Sequence, residues 1–216
     1  MLVKRILAIV VAGGFCAAAN AQLSGSYDVT GKDFDGKAYK GKIQITPNGK
    51  TLKLKYRDGK TQAGVGVEKG KLLFTAWGPS DQCGMGVYAL KDGAAGEGFA
   101  ADIGHPNTFP ETLKRTAGSG EISGTYEVSG KDYEGVPFAG LVKIEPRGPV
   151  YKLSFKMAGE SFDGIGMKFA DHLVVGWGGE RCAVSAYDVK PDNTAKGQFA
   201  VYGKGVLGEE SLMKAF

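Results

Sequence analysis

The chain is written twice. Leu23-Ser24-Gly25-Ser26-Tyr27-Asp28-Val29 returns 99 positions later as Ile122-Ser123-Gly124-Thr125-Tyr126-Glu127-Val128. Gly31-Lys32-Asp33 returns as Gly130-Lys131-Asp132, and Gly41, Ile45, Pro47 and Leu54 return as Gly140, Ile144, Pro146 and Leu153. After a slip of one residue, Gly64-Val65-Gly66 matches Gly164-Ile165-Gly166 and Trp77-Gly78 matches Trp177-Gly178. Cys83 with Cys182, Tyr88 with Tyr187 and Glu111 with Glu210 then restore the first spacing. Self-similarity of this extent predicts one structural unit made twice. The copies are expected at 22–116 and 122–216, joined by a short Ala-Gly-Ser-Gly-Glu linker at 117–121.

Inside each copy the apolar period is two. Leu52, Leu54 and Tyr56 alternate with Lys53, Lys55 and Arg57, and Tyr151, Leu153 and Phe155 alternate with Lys152, Ser154 and Lys156. Such spacing puts the apolar residues on one face of a strand. Asn48-Gly49, Asp58-Gly59, Lys69-Gly70 and Asp92-Gly93 punctuate these runs, and Asx-Gly between alternating segments is a hairpin signal because glycine accepts positive φ. Glycine is abundant, 35 of 216 residues, as many tight turns require. No long segment beyond the N-terminus has helical period. The turn spacing predicts about eight strands per copy. Eight antiparallel strands leave two raw edges unless they close, and a barrel of that size holds packed side chains or one small ligand. The expected fold is therefore all-β: two tandem eight-stranded antiparallel up-and-down barrels after a cleaved signal peptide. The competing arrangement is one sixteen-stranded pore. It requires Lys53, Lys55 and Arg57 to face a lumen, and the strands are short for spanning a bilayer.

Residues 1–21 read as an export signal. Lys4 and Arg5 precede a short apolar run, and Ala19-Asn20-Ala21 puts small residues at the two positions that a signal peptidase reads. The run is shorter than the ~20 residues of a membrane-spanning helix. The expected destination is the periplasm or the exterior. Phe15 before Cys16 is a poor match to a lipoprotein signal. Loss of the leader lowers the net charge from +4 to +2, too little to imply nucleic acid as a partner. It also leaves Cys83 and Cys182 as the only cysteines, in a compartment that permits disulfides. Whether they form a bridge or two buried thiols is open at this level, since spacing does not fix their distance.

The recurring pattern of Gly25, Tyr27, Tyr39, Gly41, Ile45, Gly64, Gly66, Trp77, Glu111 and Leu113 resembles a bacterial exported tandem-repeat β-barrel domain often labelled fibronectin-binding. The second copy carries it on Gly124, Tyr126, Phe138, Gly140, Ile144, Gly164, Gly166, Trp177, Glu210 and Leu212. The resemblance implies an architecture similar to the avidin and lipocalin (calycin) class. No avidin-type set of biotin-contacting residues maps onto this chain.

The aromatics shared by both copies, Trp77, Trp177, Tyr27, Tyr126, Tyr88 and Tyr187, are the candidates to line a ligand cavity. Glu111 and Glu210 could meet a ligand or help close a barrel. His105 and His172 have no histidine at the equivalent place, so they are expected on the surface or in loops rather than in a shared site. Gly203-Lys204-Gly205-Val206-Leu207-Gly208 fits a dinucleotide fingerprint in letters alone, because a helix must open on such a loop and a hairpin is expected instead. No metal-ligand cluster or catalytic constellation stands out, and no cofactor is expected. The function expected is non-enzymatic: an exported protein holding a small apolar molecule in a barrel. The alternative is a structural or adhesive module that binds an extracellular or envelope protein through surface loops.

Overall fold

The computed structural model describes residues 23–57, 61–79, 82–178 and 182–215. The leader at 1–21, with Cys16, and the Asp58-Gly59 turn lie outside the described residues. Sixteen strands follow one another with no helix among the described residues. The first eight are β1 (Gly25–Lys32), β2 (Ala38–Asn48), β3 (Thr51–Arg57), β4 (Thr61–Lys69), β5 (Leu72–Gly78), β6 (Gly84–Lys91), β7 (Ala94–Asp102) and β8 (Phe109–Ala117). The second eight are β9 (Gly124–Lys131), β10 (Pro137–Arg147), β11 (Val150–Met157), β12 (Glu160–Phe169), β13 (His172–Trp177), β14 (Ala183–Val189), β15 (Ala195–Val201) and β16 (Gly208–Lys214). The expected turns form at Asn48-Gly49, where Gly49 has φ 65°, and at Asp92-Gly93, where both residues have positive φ.

The strands close into two eight-stranded antiparallel barrels, as the sequence predicts, but each barrel is not one copy of the repeat. Barrel A consists of β1–β5 and β14–β16; barrel B is β6–β13. The copies have exchanged their last three strands. As a result, barrel B is continuous in sequence and is inserted into barrel A. The division at 22–116 and 122–216 marks the repeat, not the barrels. The segment at 117–121, expected to link two domains, instead joins β8 to β9 within barrel B. Arg115 fixes it there, donating to the carbonyls of Gly120 (3.0 Å) and Glu121 (2.8 Å).

The exchange has a simple physical basis. In barrel A, β5 pairs with β14, with Trp77 opposite Ala183; in barrel B, β13 pairs with β6, with Trp177 opposite Gly84. β6 and β14 are equivalent strands of the two copies, so either can complete either barrel in the same register. The chain passes from A to B at 79–83 and back at 178–182. At these passages Cys83 and Cys182 are joined by a disulfide, with their Cα atoms 5.7 Å apart.

Burial separates two kinds of strand. β3 alternates strictly, with Lys53, Lys55 and Arg57 in solvent and Leu54 and Tyr56 inside. β6, β13 and β14 each have five consecutive buried residues, because their outer faces are also covered. The outward residues Phe74, Met85, Val87, Met167, Val174 and Val184 meet in an apolar layer between the barrels. The interior of A packs Ile43, Ile45, Leu52 and Leu73, and that of B packs Val142, Ile144, Leu153 and Leu173. Across the junction, Lys50 N donates to Pro106 O (2.7 Å) and Thr51 Oγ1 to His105 O (2.7 Å).

Candidate functional site

The two barrels are built alike at one end, and the differences there define the site. After β1, the Asp33 carboxylate accepts hydrogen bonds from the amides of Asp35 (3.0 Å) and Lys37 (2.8 Å). Asp132 does the same in the second copy, with Glu134 (3.0 Å) and Val136 (2.8 Å). Such side-chain-to-backbone bonds fix a tight turn. The turn presents Phe34 at the mouth of A and Tyr133 at the mouth of B. Phe34 rests edge-on against Phe199 at 5.2 Å, with the Lys204 ammonium 6.0 Å from its ring centre. Tyr133 stacks on His105 and donates to the Asp102 carboxylate (3.2 Å).

Beneath each mouth lies a buried glutamate. Glu210 of β16 accepts from Tyr39 Oη (2.9 Å) and from Tyr187 Oη. Glu111 of β8 accepts from Tyr88 Oη (2.9 Å). Phe138 stands where the first copy has Tyr39, so Glu111 lacks the second hydroxyl. Burial pushes the Tyr88 and Tyr187 hydroxyls well above their ordinary range, and the adjacent carboxylates add to this. Burial also raises Glu111 to about 7, reinforced by Asp102 and opposed by the Tyr88 hydrogen bond.

The raised Glu111 value gives a stability signature. Its folded value lies above the ordinary 4.5, so between these values the folded protein holds more protons than the unfolded chain. Stability from this group is complete at the acid end and is lost as pH rises through neutrality. The expected fall is on the order of 3 kcal/mol between about pH 5 and about pH 8. Glu111→Gln keeps an acceptor for Tyr88 and should flatten the slope. Urea unfolding of both proteins across this range is the measurement, and equal slopes would refute the assignment.

The barrels diverge above the glutamates. Barrel A holds a cavity of about 320 Å³, lined by Phe34, Tyr39, Tyr56, Trp77 and Phe199, with Glu210 also in its wall. Asp33, Gln62 and the solvent-exposed Lys40, Lys42 and Arg57 also border it. Trp77 is held in place by its indole N–H, which donates to Ser185 Oγ (2.9 Å). In barrel B, the corresponding space contains the stacked rings of Phe155 and Phe162, with centres 4.8 Å apart. Trp177 meets Phe155 at 6.3 Å. The ladders show the substitution directly: Tyr56 faces Gln62 across β3 and β4, whereas Phe155 faces Phe162 across β11 and β12.

Of the six aromatics singled out in the sequence, Trp77 lines the cavity and Tyr187 reaches it through Glu210. Tyr88 and Trp177 occupy equivalent places in the filled barrel. Tyr27 and Tyr126 are not brought to either mouth. Both are core residues near Leu23 and Ile122, and Tyr126 Oη donates to Ile122 O (2.7 Å). Phe34, Tyr56, Gln62 and Phe199 were missed, because a search for identical aromatics passes over Phe34 against Tyr133 and Tyr56 against Phe155, and Gln62 and Phe199 answer Phe162 and Ala100. His105 does lie in a loop. His172, expected at the surface, is buried against Phe74 between the barrels, with Lys69 Nζ at 3.2 Å from Nε2 and Asp171 Oδ1 at 2.7 Å from Nδ1. Burial lowers its pKa. The Gly203–Gly208 segment is the β15–β16 connection, as expected of a turn. Among the described residues no group of three or more His, Cys, Asp or Glu side chains could hold a metal ion, and no helix is long and apolar enough to cross a membrane.

No family model matches the chain, and no curated protein does. Among solved structures it is similar to a porin-like protein from Bacteroides uniformis. The identity is 10%, the TM-score is 0.25, and the match covers 88% of this chain and 97% of that one.

Proposed function

We propose that this is a non-enzymatic binding protein that holds a small, largely apolar molecule in barrel A. One observation supports the reading above others: two copies of the same barrel end differ in that one is hollow and aromatic-lined while the other is filled by its own phenylalanines. A volume of about 320 Å³ lies at the lower end of the range for small-molecule sites, which combine apolar walls with a few polar groups. The buried Glu210 with its two tyrosine hydroxyls supplies that polar element. Barrel B serves as the scaffold half, closing the structure against the outer face of A. Export to the periplasm or exterior, as the leader suggests, belongs to the same proposal. Adhesion to a protein partner through loops is the competing reading, and it gives the cavity no role.

Tryptophan fluorescence tests the proposal. Titration with neutral apolar probes (toluene, naphthalene and octanol) should give a saturable change from Trp77. Trp177→Phe should keep that change and Trp77→Phe should lose it. No saturable change with any of the three would overturn the cavity reading.

A further inference from the structure

The sides of the cavity differ in charge, and this bears on the kind of molecule it takes. Both acids in its lining are already engaged: Glu210 by Tyr39 and Tyr187, and Asp33 by the amides of its own turn. Lys42 pairs with Asp28 at 3.3 Å. Lys40 and Arg57 have no acid partner among the described residues. Arg57 stands directly opposite Lys42 across the β2–β3 ladder. Like charges facing each other across a ladder destabilise a sheet. Asp28 offsets part of that repulsion for Lys42, and all three cations stand exposed rather than in the core.

The second copy is an internal control. Where barrel A has Lys40 and Lys42, barrel B has Ala139 and Leu141. Where A has Val201 near its mouth, B has Asp102. The filled barrel has given up two of these cations and gained an acid, while Lys156 stands where barrel A has Arg57. The hollow barrel keeps the more positive rim, and the filled barrel the less positive one.

Resting on the cavity reading above, we infer that the ligand of barrel A is an amphiphilic anion. Its apolar body lies among Tyr56, Trp77 and Phe199, and its anionic head group meets Lys40 and Arg57 at the rim. Charge-assisted hydrogen bonds to a carboxylate or sulfonate are stronger than neutral ones, and arginine can offer two at once.

The experiment uses the intact oxidised protein and three probes of equal chain length: octanoate, octanol and octylamine. Binding is read from Trp77 fluorescence. Octanoate should bind about tenfold more tightly than octanol, and octylamine more weakly than either. The gap between octanoate and octanol should narrow as salt is raised. The variant Lys40→Gln/Arg57→Gln should lose the preference for octanoate over octanol, while Lys40→Arg should retain it. Gln62→Phe, which imports the residue that fills barrel B, should abolish binding of all three. Octanol binding as tightly as octanoate, or a preference surviving in the double variant, overturns the anionic head group and leaves the cavity standing. No binding by any probe overturns the cavity reading itself.

Discussion

Replacing Cys83 and Cys182 with alanine, or reducing the bridge between them, is expected to lower the stability of the protein by roughly 4–5 kcal/mol. The bridge closes a loop of 99 residues, and in the chain-entropy account a loop of about 100 residues restricts the unfolded chain by about that amount. The position of the bridge makes the effect global. It joins the two passages at which the chain leaves barrel A and returns to it, so it constrains every residue of barrel B in the unfolded state. Alanine is the better replacement because both sulfurs are buried, and a serine hydroxyl there would need a partner. Urea unfolding with and without reductant provides the measurement. Superimposable curves would show that the bridge contributes nothing to stability.

The second large effect concerns where the chain is cut. A fragment of residues 82–178 contains all eight strands of barrel B, and its ladder closes between β13 and β6. It should fold alone into a β-rich unit that unfolds cooperatively, although Met85, Val87, Met167 and Val174 would then leave an apolar face uncovered. A fragment of residues 22–121, the repeat as the sequence defines it, should behave differently. Its β5 and β6 are each without the partner they have in the whole chain. Two such fragments can exchange their last three strands and rebuild both barrels, so the expected product is a dimer. Light scattering decides this. A folded monomer of 22–121 would show that β5 and β6 close directly, and that the exchange depends on having both copies in one chain.

Most of the strand order was legible in the sequence, and for a definite reason. Alternation in Leu52–Arg57 and in Tyr151–Lys156, together with turns such as Asp92-Gly93, carries local information about every hairpin. The exchange was not legible. Residues 79–83 are short enough to turn β5 back on β6, and the true partner, β14, has the same pattern as β6. A duplicated sequence cannot distinguish its own copy of a strand from the other. A clue lay in the long apolar runs of Gly84–Leu90 and Ala183–Tyr187, which lack the alternation of β3. Strands covered on both faces read in this way, and the layer between the barrels accounts for it.

The candidate site was legible only in part. Trp77 and Glu210 stood out because they recur, but recurrence selects for what both barrels need in order to fold. The cavity is left open where Gln62 replaces the Phe162 of the other barrel, and its wall and rim differ further at Tyr39 against Phe138 and Lys40 against Ala139. Trp77 and Glu210 line the cavity although both copies keep them, so in this duplicated chain divergence, rather than recurrence, tells the hollow barrel from the filled one.

The insertion of one barrel within the other also determines how the molecule carries mechanical load. β1 and β16 are neighbours in barrel A, so tension applied at the two ends of the described chain first strains the ladder between them. Beyond that, the force runs from β5 to Cys83, crosses to Cys182 and enters β14. The residues between the two cysteines lie off this path. While the sulfurs remain joined, barrel A can be pulled out to full extension with barrel B hanging from it as an unloaded side loop.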